Sequence, residues 1–187
     1  MAKQVRIPVA ILFVAILCAI GWRVLHSTEP EYRGKPLSFW LEGYRVHNLG
    51  GPEQKNADDA ISHTGTNSIP TLLKMARAHD SALKLRVRQW AQKQHFIKID
   101  YVSASERNIQ AVYGFQKLGS KGKDAVPALI ALCEQNISRT TREAIPAALG
   151  WIGPEAKQAI PVLLPNATNA NPFVRGNAIY ALGQISW

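Results

Sequence analysis

The sequence predicts an all-α chain: an α-solenoid of antiparallel helix pairs preceded by one N-terminal transmembrane helix. Three observations carry this. Sixteen residues from Ile7 to Trp22 hold no charge, a proline-bearing apolar motif recurs along the chain, and a second amphipathic motif alternates with it at the same period.

The N-terminal run reads IPVAILFVAILCAIGW, with Lys3 and Arg6 before it and Arg23 after it. Counted over residues 5–25, with both flanking arginines reaching to the interface, it is long enough to cross a bilayer. No A-x-A-like site follows, and Ile16-Leu17 is a poor context for lipidation of Cys18, so an uncleaved signal-anchor is favoured over a cleaved signal peptide. The basic N-terminus favours a cytoplasmic start. Residues 1–27 are therefore expected to anchor a single-pass membrane protein, with the repeat domain extracytoplasmic (periplasmic in a bacterium).

Residues 28–51 are expected to form a linker and an N-terminal capping helix. Over Pro36 to His47 the spacing puts Leu37, Trp40, Leu41 and Tyr44 on one side of that helix, and Gly50-Gly51-Pro52 ends it. A cap packed on the first repeat is the expected role, a docking motif near the membrane the alternative.

Residues 52–187 are expected to be the repeat array. Val126-Pro-Ala-Leu-Ile130 returns as Ile160-Pro-Val-Leu-Leu164 at an offset of 34, and Ile69-Pro-Thr-Leu-Leu73 is a third copy. Each supplies apolar residues at i, i+3, i+4 and i+7: Ile69, Leu72, Leu73, Ala76; Val126, Leu129, Ile130, Cys133; Ile160, Leu163, Leu164, Ala167. That spacing makes one helical stripe, and proline falls in the first turn, where its missing N–H costs nothing. A second helix type carries i, i+4, i+7 stripes: Ala111, Phe115, Leu118; Ile145, Leu149, Ile152; Ala178, Leu182, Ile185. Gly119 and Gly153 follow the first two as helix stops. The unit is helix A, a tight turn and helix B, at a period of a helical solenoid.

Asn171-Pro-Phe-Val-Arg-Gly-Asn-Ala-Ile-Tyr-Ala-Leu-Gly-Gln-Ile185 resembles a HEAT repeat of the short bacterial, phycobilin-lyase type, whose pattern is V-R-x-x-A-x-x-A-L-G-x-I. Thr141 to Ile152 is a second copy, with Arg142 matching Arg175. The resemblance covers about residue 56 to the C-terminus. Residues 31–44 also look like the entry segment of bacterial membrane-anchored HEAT proteins. The resemblance implies an armadillo-like helical scaffold, with Arg142 and Arg175 as inter-repeat structural residues that bond carbonyls or an acidic ladder.

Three departures from the pattern stand out. An extra helix is expected at about 81–95, with Leu83, Val87 and Trp90 on one stripe, then an extended connector to Val102 and a Ser103-x-x-Glu106 capping box. Pro146 lies mid-helix, where a kink is expected. The sequence given stops at Trp187 after a helix A, so a contact is expected at an uncapped C-terminal face there.

No catalytic, cofactor-binding or metal-ligating constellation is found. The P-loop, G-x-S-x-G, H-E-x-x-H and C-x-x-C patterns are all missing from the sequence. His47, His63, His79 and His95 have no carboxylates at ligand spacing, Asp58-Asp59 reads as a solvated helix face, and Cys133 as a small core residue. The chain carries 22 Lys plus Arg against 13 Asp plus Glu, a net +9. Five of those cations, Lys84, Arg86, Arg88, Lys93 and Lys98, cluster in the irregular segment and form the candidate partner-binding patch. This charge is not spread over the repeats, which disfavours nucleic acid. The function expected is a membrane-anchored, non-enzymatic scaffold for an unknown protein partner, touching the membrane through residues 5–25. The alternatives are a nucleic-acid binder using residues 84–98 and a subunit of a bilin-lyase-like enzyme.

Overall fold

The computed structural model describes residues 29–81, 86, 102–135 and 137–186. Described strands are confined to a two-residue pair, β1 (Glu31–Tyr32) and β2 (Lys35–Pro36), antiparallel with Glu31 opposite Pro36. This hairpin was not foreseen in the linker. It turns through Arg33 and Gly34, both at positive φ.

The capping segment is shorter in helix than its pattern predicts. α1 (Leu37–Leu41) gives way to a 3-10 turn at Glu42–Tyr44, a bend at Arg45 and another 3-10 turn at Val46–Asn48. Gly43 explains the break: a Cβ there would overlap the main-chain carbonyl of Glu53, so the chain lies directly on the next helix. The expected inward residues still point inward. Leu37, Leu41 and Tyr44 are buried, and the half-buried Trp40 donates its Nε1–H to the Tyr32 carbonyl at 2.8 Å.

The array then follows in two layers. The A helices are α2 (Pro52–Thr64), α4 (Ala104–Leu118), α6 (Arg139–Ile152) and α8 (Pro172–Ser186). The B helices are α3 (Ile69–Ala76), α5 (Val126–Gln135) and α7 (Ile160–Asn166). α6 packs on α4 and α8 on α6, while α5 and α7 each lie against the following A helix. The buried side chains form one cluster from Leu37 to Ile185. The all-α repeat expectation therefore holds.

The turn within each pair is built alike. α2, α4 and α6 end at Gly65, Gly119 and Gly153, with φ of 54°, 56° and 77°. Their N–H groups close on the carbonyls of Ile61, Phe115 and Leu149. That backbone region strains any residue with a Cβ. A 3-10 segment follows each time (Gly65–Ser68, Gly119–Ala125, Gly153–Ala159) and leads to a B helix with proline as its second residue.

The starts of α4, α6 and α8 each carry a side-chain cap, whereas α2 starts at Gly51-Pro52 without one. Ser103 and Glu106 form the expected capping box, the Glu106 N–H donating to Ser103 Oγ at 3.1 Å and the Ser103 N–H to Glu106 Oε2 at 3.0 Å. Ser138 Oγ accepts from the Thr141 N–H, and Asn171 Oδ1 from the Phe173 N–H. Pro146 is buried inside α6, which runs unbroken from Arg139 to Ile152.

The A-helix stripes are buried as predicted, except that Leu182 is only partly so. The B-helix stripes hold less well. In α5, Val126 and Leu129 are buried but Ile130 and Cys133 only partly, and Leu132, off the template, is 1% exposed. α5 touches both flanking 3-10 segments as well as α6, so its seam is wider than one stripe. In α7 only Leu163 is buried, and Leu164 is 56% exposed.

The expectation of a single-pass membrane protein with an extracytoplasmic repeat domain is overturned. Among the described residues no helix is long and apolar enough to cross a membrane. The longest described, α4 and α8, have 15 residues and turn their apolar stripes to neighbouring helices. The segment on which the expectation rested, residues 5–25, lies outside the described residues, as does most of the extra helix expected at 81–95. Ser81 is not helical, and Arg86 is helical and exposed.

Asn108 joins the first regular repeat to what precedes it. Its side chain is 1% exposed, and Nδ2 donates to the carbonyls of Met75, Ala76 and Ala78 at 2.9, 3.0 and 3.1 Å. Met75 and Ala76 end α3 and Ala78 follows it, so the amide gathers carbonyls at the C-terminal end of that helix, where the intrahelical ladder runs out of donors. Asn108→Ala is expected to lower the unfolding free energy by about 2–3 kcal/mol, because it strips buried acceptors of their donor. Urea denaturation of the two proteins checks it.

Candidate functional site

An aromatic-walled surface groove lies across the A helices. This groove of about 440 Å³ has Ile109, Val112, Tyr113 and Gln116 of α4 on one side and Trp151 of α6 with Asn177 and Tyr180 of α8 on the other. Ala144 and Ala147 form its floor. The walls are aromatic: the Trp151 and Tyr180 rings lie 5.2 Å apart, and Tyr113 lies 5.7 Å from Tyr44.

Repeat register explains the groove. Tyr113, Ala147 and Tyr180 are equivalent positions on successive A helices. A large–small–large sequence across three parallel elements leaves a trough over the middle one. Trp151 is equivalent to Lys117 and Gln184, so the repeat does not require an apolar residue there. It is nonetheless 38% exposed on the groove wall.

Polar contacts hold the walls in place. Tyr44 donates its hydroxyl hydrogen to Asp58 Oδ1 at 2.7 Å. Burial, reinforced by that carboxylate, pushes its phenol well above the usual range, and burial also raises that of Tyr180. Asp58 thus accepts a structural hydrogen bond. At the other end Glu143 ties α6 to the start of α8. Its Oε1 accepts from Arg139 Nε and from Asn171 Nδ2, both at 2.8 Å, and its main-chain carbonyl accepts from Asn177 Nδ2 at 2.6 Å. The Arg139 hydrogen bond, then that from Asn171, holds the Glu143 carboxyl below its ordinary range.

None of the described side chains singled out from the sequence lines this groove. Lys84, Arg88, Lys93, Lys98 and Trp187 are outside the described residues, and Arg86 is exposed. Arg175 is exposed and donates to the carbonyls of Asn169 (2.8 Å) and Ala170 (3.5 Å), in the turn leading to its own helix. Arg142 is exposed at the rim of a separate hollow of about 500 Å³, with Cys133, Glu134, Asn166 and Asn169. Burial, then the Glu134 charge, pushes the Cys133 thiol up to about 12. At neutral pH it stays protonated and is no nucleophile. Among the described residues no group of His, Cys, Asp and Glu could hold a metal ion, and His63 packs against the Tyr32 ring at 5.2 Å.

Residues 105–183, the part of the chain that builds this groove, match the family model described as HEAT repeats. This stretch is similar to HEAT repeats. No curated protein and no solved structure matches the chain. The HEAT match covers α4 to α8 and with them every groove residue. It bears on neither the phycobilin-lyase subtype nor membrane anchoring. HEAT repeats are in general a non-enzymatic, protein-interaction scaffold.

Sequence reasoning missed the groove, yet a signal for it was present. Aligning the A helices position by position exposes tryptophan where the sister copies carry Lys117 and Gln184. Asn108 shows up the same way, standing where the other copies have Arg142 and Arg175.

Glu143 yields a pH prediction. A carboxyl whose folded pKa is depressed contributes stability that is present above its unfolded value, about 4.3, and lost as pH falls through the folded one. Glu143→Gln is therefore expected to lower the thermal midpoint at neutral pH, with the gap to the parent protein closing on acidification. Melting curves across that range check it.

Proposed function

We propose that this protein is a non-enzymatic scaffold that binds a protein partner through the aromatic groove of α4, α6 and α8. The observation that carries the proposal is Trp151. An exposed tryptophan that neither the core nor the repeat pattern requires, facing a trough floored by Ala144 and Ala147, is what a partner's anchoring side chain or short segment would pack against. The HEAT family supports the scaffold class. A continuous hydrogen-bonded and buried framework under the groove supports a preformed site, which lowers the ordering cost of binding.

The electrostatics favour an uncharged or weakly charged contact segment. The groove walls present amide and phenol groups, Gln116, Asn177 and Tyr180, and no formal charge. Hydrogen bonds to those groups would set orientation while the ring faces supply contact area.

The test is site-specific photocrosslinking in the native cell, with p-benzoylphenylalanine in place of Trp151 and, as control, of the exposed Lys157. A discrete protein adduct at position 151 but not at 157 is expected. With that partner purified, Trp151→Lys, the side chain of the equivalent position 117, should weaken binding by about tenfold or more while leaving the fold intact. Equal crosslinking at both positions, or unchanged affinity, would sink the proposal.

A further inference from the structure

A second cavity, of about 450 Å³, lies at the other end of the array between α1, α3 and α4. Its apolar wall is Phe39, Met75 and Val102, and Gln110 and Arg107 line it from α4. Gln110 is 2% exposed, and among the described residues its Nε2 has no hydrogen-bond partner. One turn earlier, Arg107 donates through Nη2 to the Val102 carbonyl at 3.0 Å, but its buried Nε is likewise unpartnered. Two buried donors without acceptors at one cavity are costly and call for an explanation.

Repeat register shows what acceptor is missing. Gln110, Ala144 and Asn177 are equivalent positions on successive A helices. The Asn177 amide is satisfied: its Nδ2 donates to the main-chain carbonyl of Glu143, on the preceding A helix, at 2.6 Å. Gln110 holds the same place in the array, and its Nε2 has no such carbonyl. The charges around the cavity narrow the choice further. Glu29 and Glu42 oppose Lys74 and Arg107, with Glu29 already 4.0 Å from Lys74. Formal charge therefore balances, and a second carboxylate would meet two others, whereas a neutral carbonyl meets none of that repulsion.

We infer that this cavity binds a segment of extended polypeptide from a partner, Gln110 and Arg107 donating to a main-chain carbonyl while one apolar side chain lies against Phe39, Met75 and Val102. The site is separate from the Trp151 groove and does not depend on it. Replacing a buried unpaired amide by an apolar side chain of similar length removes a penalty in the free protein. Gln110→Met therefore raises the thermal midpoint and at the same time removes the carbonyl donor, a combination that a purely structural glutamine would not give.

The experiment uses the full chain with ¹⁵N-labelled glutamine and three probes: N-acetyl-leucine methylamide, N-acetyl-leucine with its free carboxylate, and leucinol, which has the side chain but no carbonyl. The Gln110 side-chain amide resonance is assigned by its loss in Gln110→Met. A saturable shift of that resonance with the methylamide is expected, with affinity at least about tenfold weaker for leucinol and for the Gln110→Met protein. Gln110→Met should also melt at a higher temperature. A resonance unmoved by the methylamide, equal binding by Gln110→Met, or a lower midpoint for that variant would each overturn the inference. Tighter binding of the free carboxylate than of the methylamide would overturn its assignment to a neutral main-chain carbonyl.

Discussion

The close approach of successive A helices is the constraint on which the rest of this array depends. At Gly150 of α6 a Cβ would meet Ala181 Cα of α8 at 2.9 Å and its Cβ at 3.2 Å. At Gly114 of α4 it would overlap the Leu72 side chain of α3. Small residues at these crossings let the helix backbones come close enough for the stripes behind them to interlock without voids. The same spacing brings Trp151 within ring contact of Tyr180 and lets Asn177 reach the Glu143 carbonyl. A wider crossing would loosen the groove wall and the polar tie together.

Two kinds of polar group divide the labour across that stack. Amides at two different positions of the A-helix repeat, Asn108 on α4 and Asn177 on α8, reach main-chain carbonyls of a helix end or a packed neighbour. They fix the repeats' relative rotation more tightly than apolar contact alone, because a hydrogen bond tolerates little misalignment. Glu143 adds a charged clamp at the chain's entry to α8. Gln110 departs from this division. Its buried amide holds the same repeat position as Asn177, but among the described residues its Nε2 finds no acceptor. Local rules that hold along most of a chain and fail at one position commonly mark a functional site.

The array was readable from the sequence because each level of its structure leaves a periodic trace. The glycine stops at 119 and 153, the prolines at the second position of each B helix and the A-helix stripes have a local physical cause, and local causes repeat with the repeat. The Ser103–Glu106 capping box is similarly local. What could not be read depends on contacts between elements. The cap breaks at Gly43 because α2 lies against it, Leu132 is buried in place of Cys133 because α5 meets more than one neighbour, and the hairpin at residues 31–36 follows from a turn of Arg33 and Gly34 that no periodicity announces. The basic patch at residues 84–98 lies outside the described residues except for Arg86. Charge density drew attention to residues 84–98, whereas the described candidate sites are nearly uncharged or charge-balanced. The signal for them was a departure from register, visible only after the A helices are superimposed position by position. An apolar N-terminal run likewise invited a membrane assignment that the described helices do not bear out.

Gly150→Val, followed by repeat-resolved hydrogen exchange, tests the central claim most directly. A valine at this crossing overpacks the α6–α8 contact, at a cost of about 1–3 kcal/mol. If the close approach fixes the end of the array, exchange should accelerate in α8 and in the part of α6 that carries Trp151, while α2, α3 and the first turns of α4 keep their protection. Unchanged exchange in α8, or an equal loss of protection along the whole chain, would contradict the account.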